Sequence, residues 1–100
     1  MRVPVSREIE VEAPPEDVWE ALVDEDHRER WLDEPAREIE IVEADAPHRL
    51  VWRWSDGAQP PTRVEIDVLR VAAGSRVIVT ESVPAFPLPA LAACFALVAA

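Results

Sequence analysis

Five separate stretches of this chain alternate apolar with charged or polar residues at a period of two, and few folds satisfy that pattern. In "VPVSREIEV" the apolar side chains fall at Val3, Val5, Ile9 and Val11, with Glu8, Glu10 and Glu12 taking the alternate positions. "REIEIVEAD", from Arg37, sets Ile39 and Ile41 against Glu38 and Glu40, with Val42 off the pattern. "RLVWRWS" puts Leu50, Trp52 and Trp54 on one side and Val51 with two arginines on the other. "TRVEIDVLRV" places Val64, Ile66 and Val68 against Arg63, Glu65 and Asp67, and "RVIVTES" places Val77 and Val79 against Arg76, Ile78 and Thr80. Successive side chains of a strand point to opposite faces, so each stretch reads as a strand with one wet face. The turn-forming segments "APH", "DGAQPP" and "AAGS" separate the last four, which predicts an antiparallel meander that must cover its apolar face with something else.

That cover has three candidates. "APPEDVWEALVD" carries Pro15 at a first helical position, Glu16 and Asp17 at the positive end of the dipole, and Val18, Trp19, Leu22 and Val23 at helical spacing. "DEDHRERWL" reads as a second short helix, capped by Asp24 or Asp26 and closed against the core by Trp31 and Leu32. The last residues, from about 89 to 100, are apolar almost all round, as in a buried helix, and are expected to fold back across the sheet.

One hundred residues suffice for one core and therefore one domain, residues 1–100. Twenty acidic residues against ten arginines, with no lysine, give a formal charge of −10. A field of that sign repels nucleic-acid phosphates and anionic lipid, so neither is an expected partner. The apolar run "PAFPLPALAACFALVAA" is interrupted by Pro84, Pro87 and Pro89 and falls short of the roughly 20 residues of a membrane span. The start "MRVPVSREIE" lacks the apolar core of a leader, and Cys94 has no second cysteine with which to form a disulfide, so the cytoplasm is the expected location.

The catalytic inventory is thin. Gly57 and Gly74 stand too far apart for a phosphate-cradling loop, and Cys94 lies in the most apolar part of the chain, where it reads as a small core residue. His27 and His48 are separated by helix and strand, so no metal site, cofactor or catalytic residue is assigned. Acidic pairs are too abundant to single out an acid/base couple. An inward-facing charge would be more informative, and the alternation points to Arg7 and Arg70. All four tryptophans, Trp19, Trp31, Trp52 and Trp54, fall on inner positions. Each ring buries on the order of 150–250 Å², and two readings stay open: dense packing of the core, or rigid walls of an apolar pocket.

The segments "REIEVEAPPEDVWEALVDEDHRERWL", "PHRLVWRW", "TRVEIDVL" and "GSRVIVTES" together resemble the SRPBCC superfamily (START, polyketide cyclase and Bet v 1-like). The likeness is greatest to its branch related to the carboxy-terminal domain of the activator of Hsp90 ATPase, and it runs from about Val5 to Ser82. It implies an α+β helix-grip fold, a curved antiparallel sheet around a carboxy-terminal helix with an apolar cavity between them. Family members bind hydrophobic small molecules or lipids, a few catalyse cyclisation or hydrolysis, and the named branch stimulates a chaperone ATPase. No shared catalytic motif can be carried over. Only five residues separate Trp31 from Arg37, so a hairpin that many relatives place there is expected to be missing, and about a dozen residues follow Pro89 where relatives have a longer helix: either the chain is a shortened member, or its carboxy terminus lies beyond residue 100.

The expected function is therefore a non-enzymatic module that holds an apolar small molecule or lipid between sheet and terminal helix. Trp19, Trp31, Trp52, Trp54, Val64, Ile66 and Phe95 form the candidate ligand-binding set. A co-chaperone-like protein-interaction domain is the first alternative, with a protein partner docked on the acidic surface. A polyketide cyclase-like enzyme is the second. If the terminal apolar segment is not buried within one subunit, it becomes a surface for homodimerisation.

Overall fold

The computed structural model describes residues 4–32, 38–55, 60–82 and 86–99. All five alternating stretches are strands: β1 (Val5–Val11), β2 (Glu38–Asp45), β3 (Arg49–Ser55), β4 (Thr62–Val71) and β5 (Gly74–Glu81). They form one antiparallel sheet in the order β1-β5-β4-β3-β2, a meander whose first strand closes beside its last. Helices α1 (Pro15–Val23) and α2 (Glu25–Trp31) follow β1, and α3 (Leu88–Ala99) ends the chain. This is the α+β helix-grip architecture. Val3, Arg37 and Gly57, which the sequence pattern placed in strands and a turn, lie outside the described residues.

Register assigns every inner-face residue to a row. One row runs Ile41, Trp52, Val64, Glu81, Val5 across β2, β3, β4, β5 and β1, and the next runs Ala44, Leu50, Ile66, Val79, Arg7. Leu50, Trp52, Val64, Ile66, Val68, Val77 and Val79 are all fully buried, as the period of two demands. Val51 departs from it. It faces outward yet is fully buried, with Glu43 and Glu65 opposite it on the flanking strands.

The helices begin where local chemistry predicts. Pro15 opens α1, with Glu16 and Asp17 in its first turn. Asp24 caps α2 by accepting the His27 backbone N–H at 3.0 Å, which decides between the two candidate caps. The buried stripe of α1 is Pro15, Val18, Ala21 and Leu22, whereas Trp19 is only half-buried at its margin.

The cover over the sheet differs from the expected one. Helix α1 packs on β4 and β5, and α3 packs on β1 and α2 rather than lying across the whole sheet. Among the described residues no helix brings its backbone against β2 or β3. The β3 side of the core is filled instead by side chains. No described helix is long and apolar enough to cross a membrane.

The β4–β5 turn is pressed onto the end of β1. Gly74 has φ +145, and a Cβ there would sit 2.4 Å from the Val11 carbonyl oxygen and 2.6 Å from the Ala13 nitrogen. The next residue, Ser75, is buried and donates its hydroxyl to the Ala13 carbonyl at 2.6 Å. Only glycine fits this approach without moving backbone. Gly74→Ala is expected to lower unfolding free energy by more than about 1 kcal/mol in urea titration, with no such loss for Ala73→Gly in the same turn.

Candidate functional site

Under the sheet, four aromatic rings meet. Trp52 and Trp54 project from one face of β3 with ring centroids 5.5 Å apart, and Phe86, just before α3, lies 5.5 Å from Trp52 and 6.3 Å from Trp54. Trp31, the last residue of α2, completes the group at 5.6 Å from Phe86. All the pairs are tilted by 34 to 49°, the offset geometry that ring quadrupoles favour. Phe86 is thus the hub. Sequence pattern does not mark it, because in "VPAFPLPAL" it stands between prolines with no periodicity to place it.

The indole N–H groups separate the tryptophans. Trp31 Nε1 donates to the Ala21 carbonyl at 2.7 Å, which ties α2 to α1. Trp52 Nε1 is buried and has no hydrogen-bond partner among the described residues. A buried donor left without an acceptor costs about 1–3 kcal/mol. The Arg28 guanidinium sits 6.0 Å from the Trp52 ring centroid and donates to the Leu22 carbonyl at 3.1 Å, so a cation rests on the rim of the aromatic group.

A charged pair holds the hub in place. Glu81 continues the inward row of Val77 and Val79, and its side chain is fully buried. Its carboxylate accepts the Phe86 backbone N–H at 3.0 Å and an N–H from Arg7 Nη2. Arg7 Nη2 also donates to the Phe86 carbonyl at 3.0 Å. Arg7 is therefore the inward arginine that its place in β1 predicted. Arg70 is not its equivalent: register sets it on the inner face opposite Ser75, but there it is exposed and pairs with Glu16 of α1 at 2.9 Å. The Glu16 carboxyl is held below its ordinary range, first by its own backbone N–H at the helix start and then by Arg70.

The seven predicted site residues divide into three groups. Trp31, Trp52 and Trp54 join the aromatic group, and Val64 and Ile66 are buried on the strand beside it. Trp19 is half-buried at the edge of the core. Phe95 faces a different space, a cleft of about 280 Å³ between α1, α2 and α3 that Glu12, Asp17, Glu20, His27 and Cys94 also line. There the fold joins two residues that sequence spacing kept apart: Cys94 Sγ lies 3.7 Å from His27 Nε2. Burial raises the thiol above its ordinary pKa against a smaller opposing effect of Arg30, so Cys94 is held as a neutral thiol. Among the described residues no three His, Cys, Asp or Glu side chains converge as metal ligands would.

Comparison with known proteins assigns the class. Residues 2–90 match the family model described as polyketide cyclase / dehydrase and lipid transport, and the chain belongs to that family. Solved structures share its fold at low sequence identity. DynU16, a protein of the dynemicin biosynthetic locus, superposes with TM-score 0.70 at 24% identity over 96% of this chain, which spans only 43% of DynU16. CalU16 from Micromonospora echinospora gives 0.64 at 19% identity, covering 82% of this chain and 58% of its own. The Aha1 dimer from Colwellia psychrerythraea gives 0.69 at 17% identity, covering 97% and 88%. No curated protein matches the chain.

The Arg7–Glu81 pair has a measurable cost of loss. Removing one partner of a buried pair destabilises by about 3–5 kcal/mol. Arg7→Met is expected at the low end, about 3 kcal/mol in urea titration, because Arg7 keeps 31% of its side chain exposed. In Arg7→Met/Glu81→Gln at least about half of that loss should return, since the neutral amide oxygen still accepts the Phe86 N–H.

Proposed function

We propose that this domain binds, without turning it over, an apolar small molecule bearing a carbonyl or hydroxyl oxygen, held against the Trp31–Trp52–Trp54–Phe86 wall. The observation that carries this reading is the Trp52 indole N–H, buried in the aromatic group with no acceptor among the described residues. A ligand oxygen satisfies it while the ligand's apolar body rests on the rings, the usual division of labour in small-molecule sites. We assign the ligand's route of entry to the β2 side. Ile41, which pairs with Trp52 across the sheet, keeps 43% of its surface exposed, and Ala44 beside Leu50 is exposed as well.

Polyketide-like ketones and lipids fit both this chemistry and the family's description. Binding is favoured over catalysis because the inward charges of Arg7 and Glu81 are committed to one another and to the Phe86 backbone. The Cys94 thiol lies in the separate cleft in its neutral form.

Addition of long-chain fatty acids or anthraquinone-type ketones is expected to give a saturable change in tryptophan emission and to shift the Trp52 indole N–H resonance. Trp52→Phe should weaken binding by about tenfold, the equivalent of one lost hydrogen bond. No movement of that resonance with any ligand of either class would overturn the proposal.

The solved Aha1 relative is a dimer, and α3 supports the same for this chain. Its sequence "LPALAACFALVA" carries no charge, and Pro89 and Ala93 are exposed on it. Self-association through α3 is the second reading. Sedimentation should show dimers at high protein concentration, and a strict monomer there would exclude it.

A further inference from the structure

We infer that the open edge of β2 is a docking strand for an extended segment of a partner protein in which apolar residues alternate with lysine or arginine. This goes beyond small-molecule binding and stands on different residues.

Among the described residues β2 is the last strand of the sheet and pairs on one side only, with β3. Every residue from Glu38 to Asp45 is exposed except Ile39, which is half-buried. Ile41 and Val42 are 43% and 44% exposed, two of the four large exposed apolar side chains among the described residues. An exposed edge of this kind presents backbone donors and acceptors to any strand that can lie beside it.

The charges decide which strand that is. β2 carries its apolar residues Ile39, Ile41 and Ala44 on the concave face, in register with Trp54, Trp52 and Leu50. The register shift between Ile41 and Glu43 keeps Glu38, Glu40, Glu43 and Asp45 together on the opposite, convex face. On that convex face acidic and basic side chains interleave around Arg49, while Arg53 on β3 stands directly opposite Arg63 on β4. β4 offers Glu65 and Asp67, and β3 answers with Arg49, bound to them at 2.5 and 3.1 Å. β2 comes next with Glu43, 3.2 Å from Arg49, and Glu40, 3.9 Å from Arg53.

The Arg49 guanidinium is held strongly protonated, first by Glu65 and then by Asp67. The sequence acid, base, acid ends on β2, where the side chains of Glu40 and Glu43 remain 72% and 53% exposed. A neighbouring strand with basic residues continues the series. Opposite charges side by side across strands stabilise the pairing by about 0.2–1 kcal/mol per pair, and like charges directly opposite oppose it.

The same rule excludes a second copy of this chain. The other free edge, β1, places Glu8 and Glu10 on its convex face, so β2 against β2 or against β1 sets carboxylate beside carboxylate. Phosphate polymers are repelled by the same row. The occupant left is a polypeptide with apolar side chains for the concave row and ammonium or guanidinium groups for the convex one.

The probe is the synthetic peptide acetyl-VKVRVK-amide, titrated into the whole chain and followed by amide chemical shifts and hydrogen exchange. Shifts and new protection should be confined to β2 and its β3 neighbours, and binding should weaken as salt rises from about 50 to 300 mM. Acetyl-VEVEVE-amide should bind at least about tenfold more weakly, and Glu40→Lys/Glu43→Lys should erase that preference while β1 and β5 amide shifts stay unchanged. Equal binding of the two peptides, or perturbation spread over the acidic surface without protection of β2, overturns the proposal. So does concentration-dependent protection of β2 in the absence of peptide, which would make a second copy the occupant. Loss of the Trp52 resonance shift with fatty acids, by contrast, bears only on the ligand reading.

Discussion

The arrangement of this domain depends on one buried carboxylate. Glu81 stands in the inner row of the sheet between Val5 and Val64, a position where an aliphatic residue would pack without any partner. Its charge is tolerable only because Arg7 and the Phe86 N–H satisfy it. Those same bonds fix the chain as it leaves β5 for α3, and so they set the position of the Phe86 ring. Trp31, Trp52 and Trp54 gather around that ring. A polar clamp at the first and last strands thus determines the apolar geometry two strands away.

The aromatic group in turn compensates for where the helices stop. With α1 over β4 and β5 and α3 against β1, the β3 side of the sheet lacks a covering helix among the described residues. Indole is the largest apolar group available, and two of them on alternate positions of one strand, with the Phe86 ring against both, close that gap. The chain therefore fills its own grip with side chains, and on the β2 side Ile41 stays exposed. Of the two readings of the tryptophans, packing is the one the rings display: Trp31, Trp52 and Trp54 are all buried, with Trp31 Nε1 bonded to the Ala21 carbonyl and Trp52 Nε1 without an acceptor among the described residues.

Much of this was legible from the residues. Alternation at period two located all five strands, and proline and acidic residues located the start of α1, because those signals are local and the backbone obeys them directly. The inward place of Arg7 was legible for the same reason. Glu81 was equally available, two positions beyond Val79, but a glutamate at the end of a strand does not announce itself as buried until its partner is known. Phe86 and the Cys94–His27 contact were not legible. Both depend on the path the chain takes into α3, where the Glu81 clamp holds Phe86. Trp19 looked as central as the other tryptophans because helical spacing gives a stripe and not its depth.

The shifted register in β2 has a further meaning for how this strand tolerates change. In a strand, losing one residue normally turns every later side chain to the wrong face. Here the irregular residue is Val42, and "EIEIVEAD" without it reads "EIEIEAD", a perfect alternation that leaves Glu43, Ala44 and Asp45 on the faces they already occupy. β2 thus contains a spare residue. It is the place within this sheet where the chain can be shortened by one without inverting the rest of the strand.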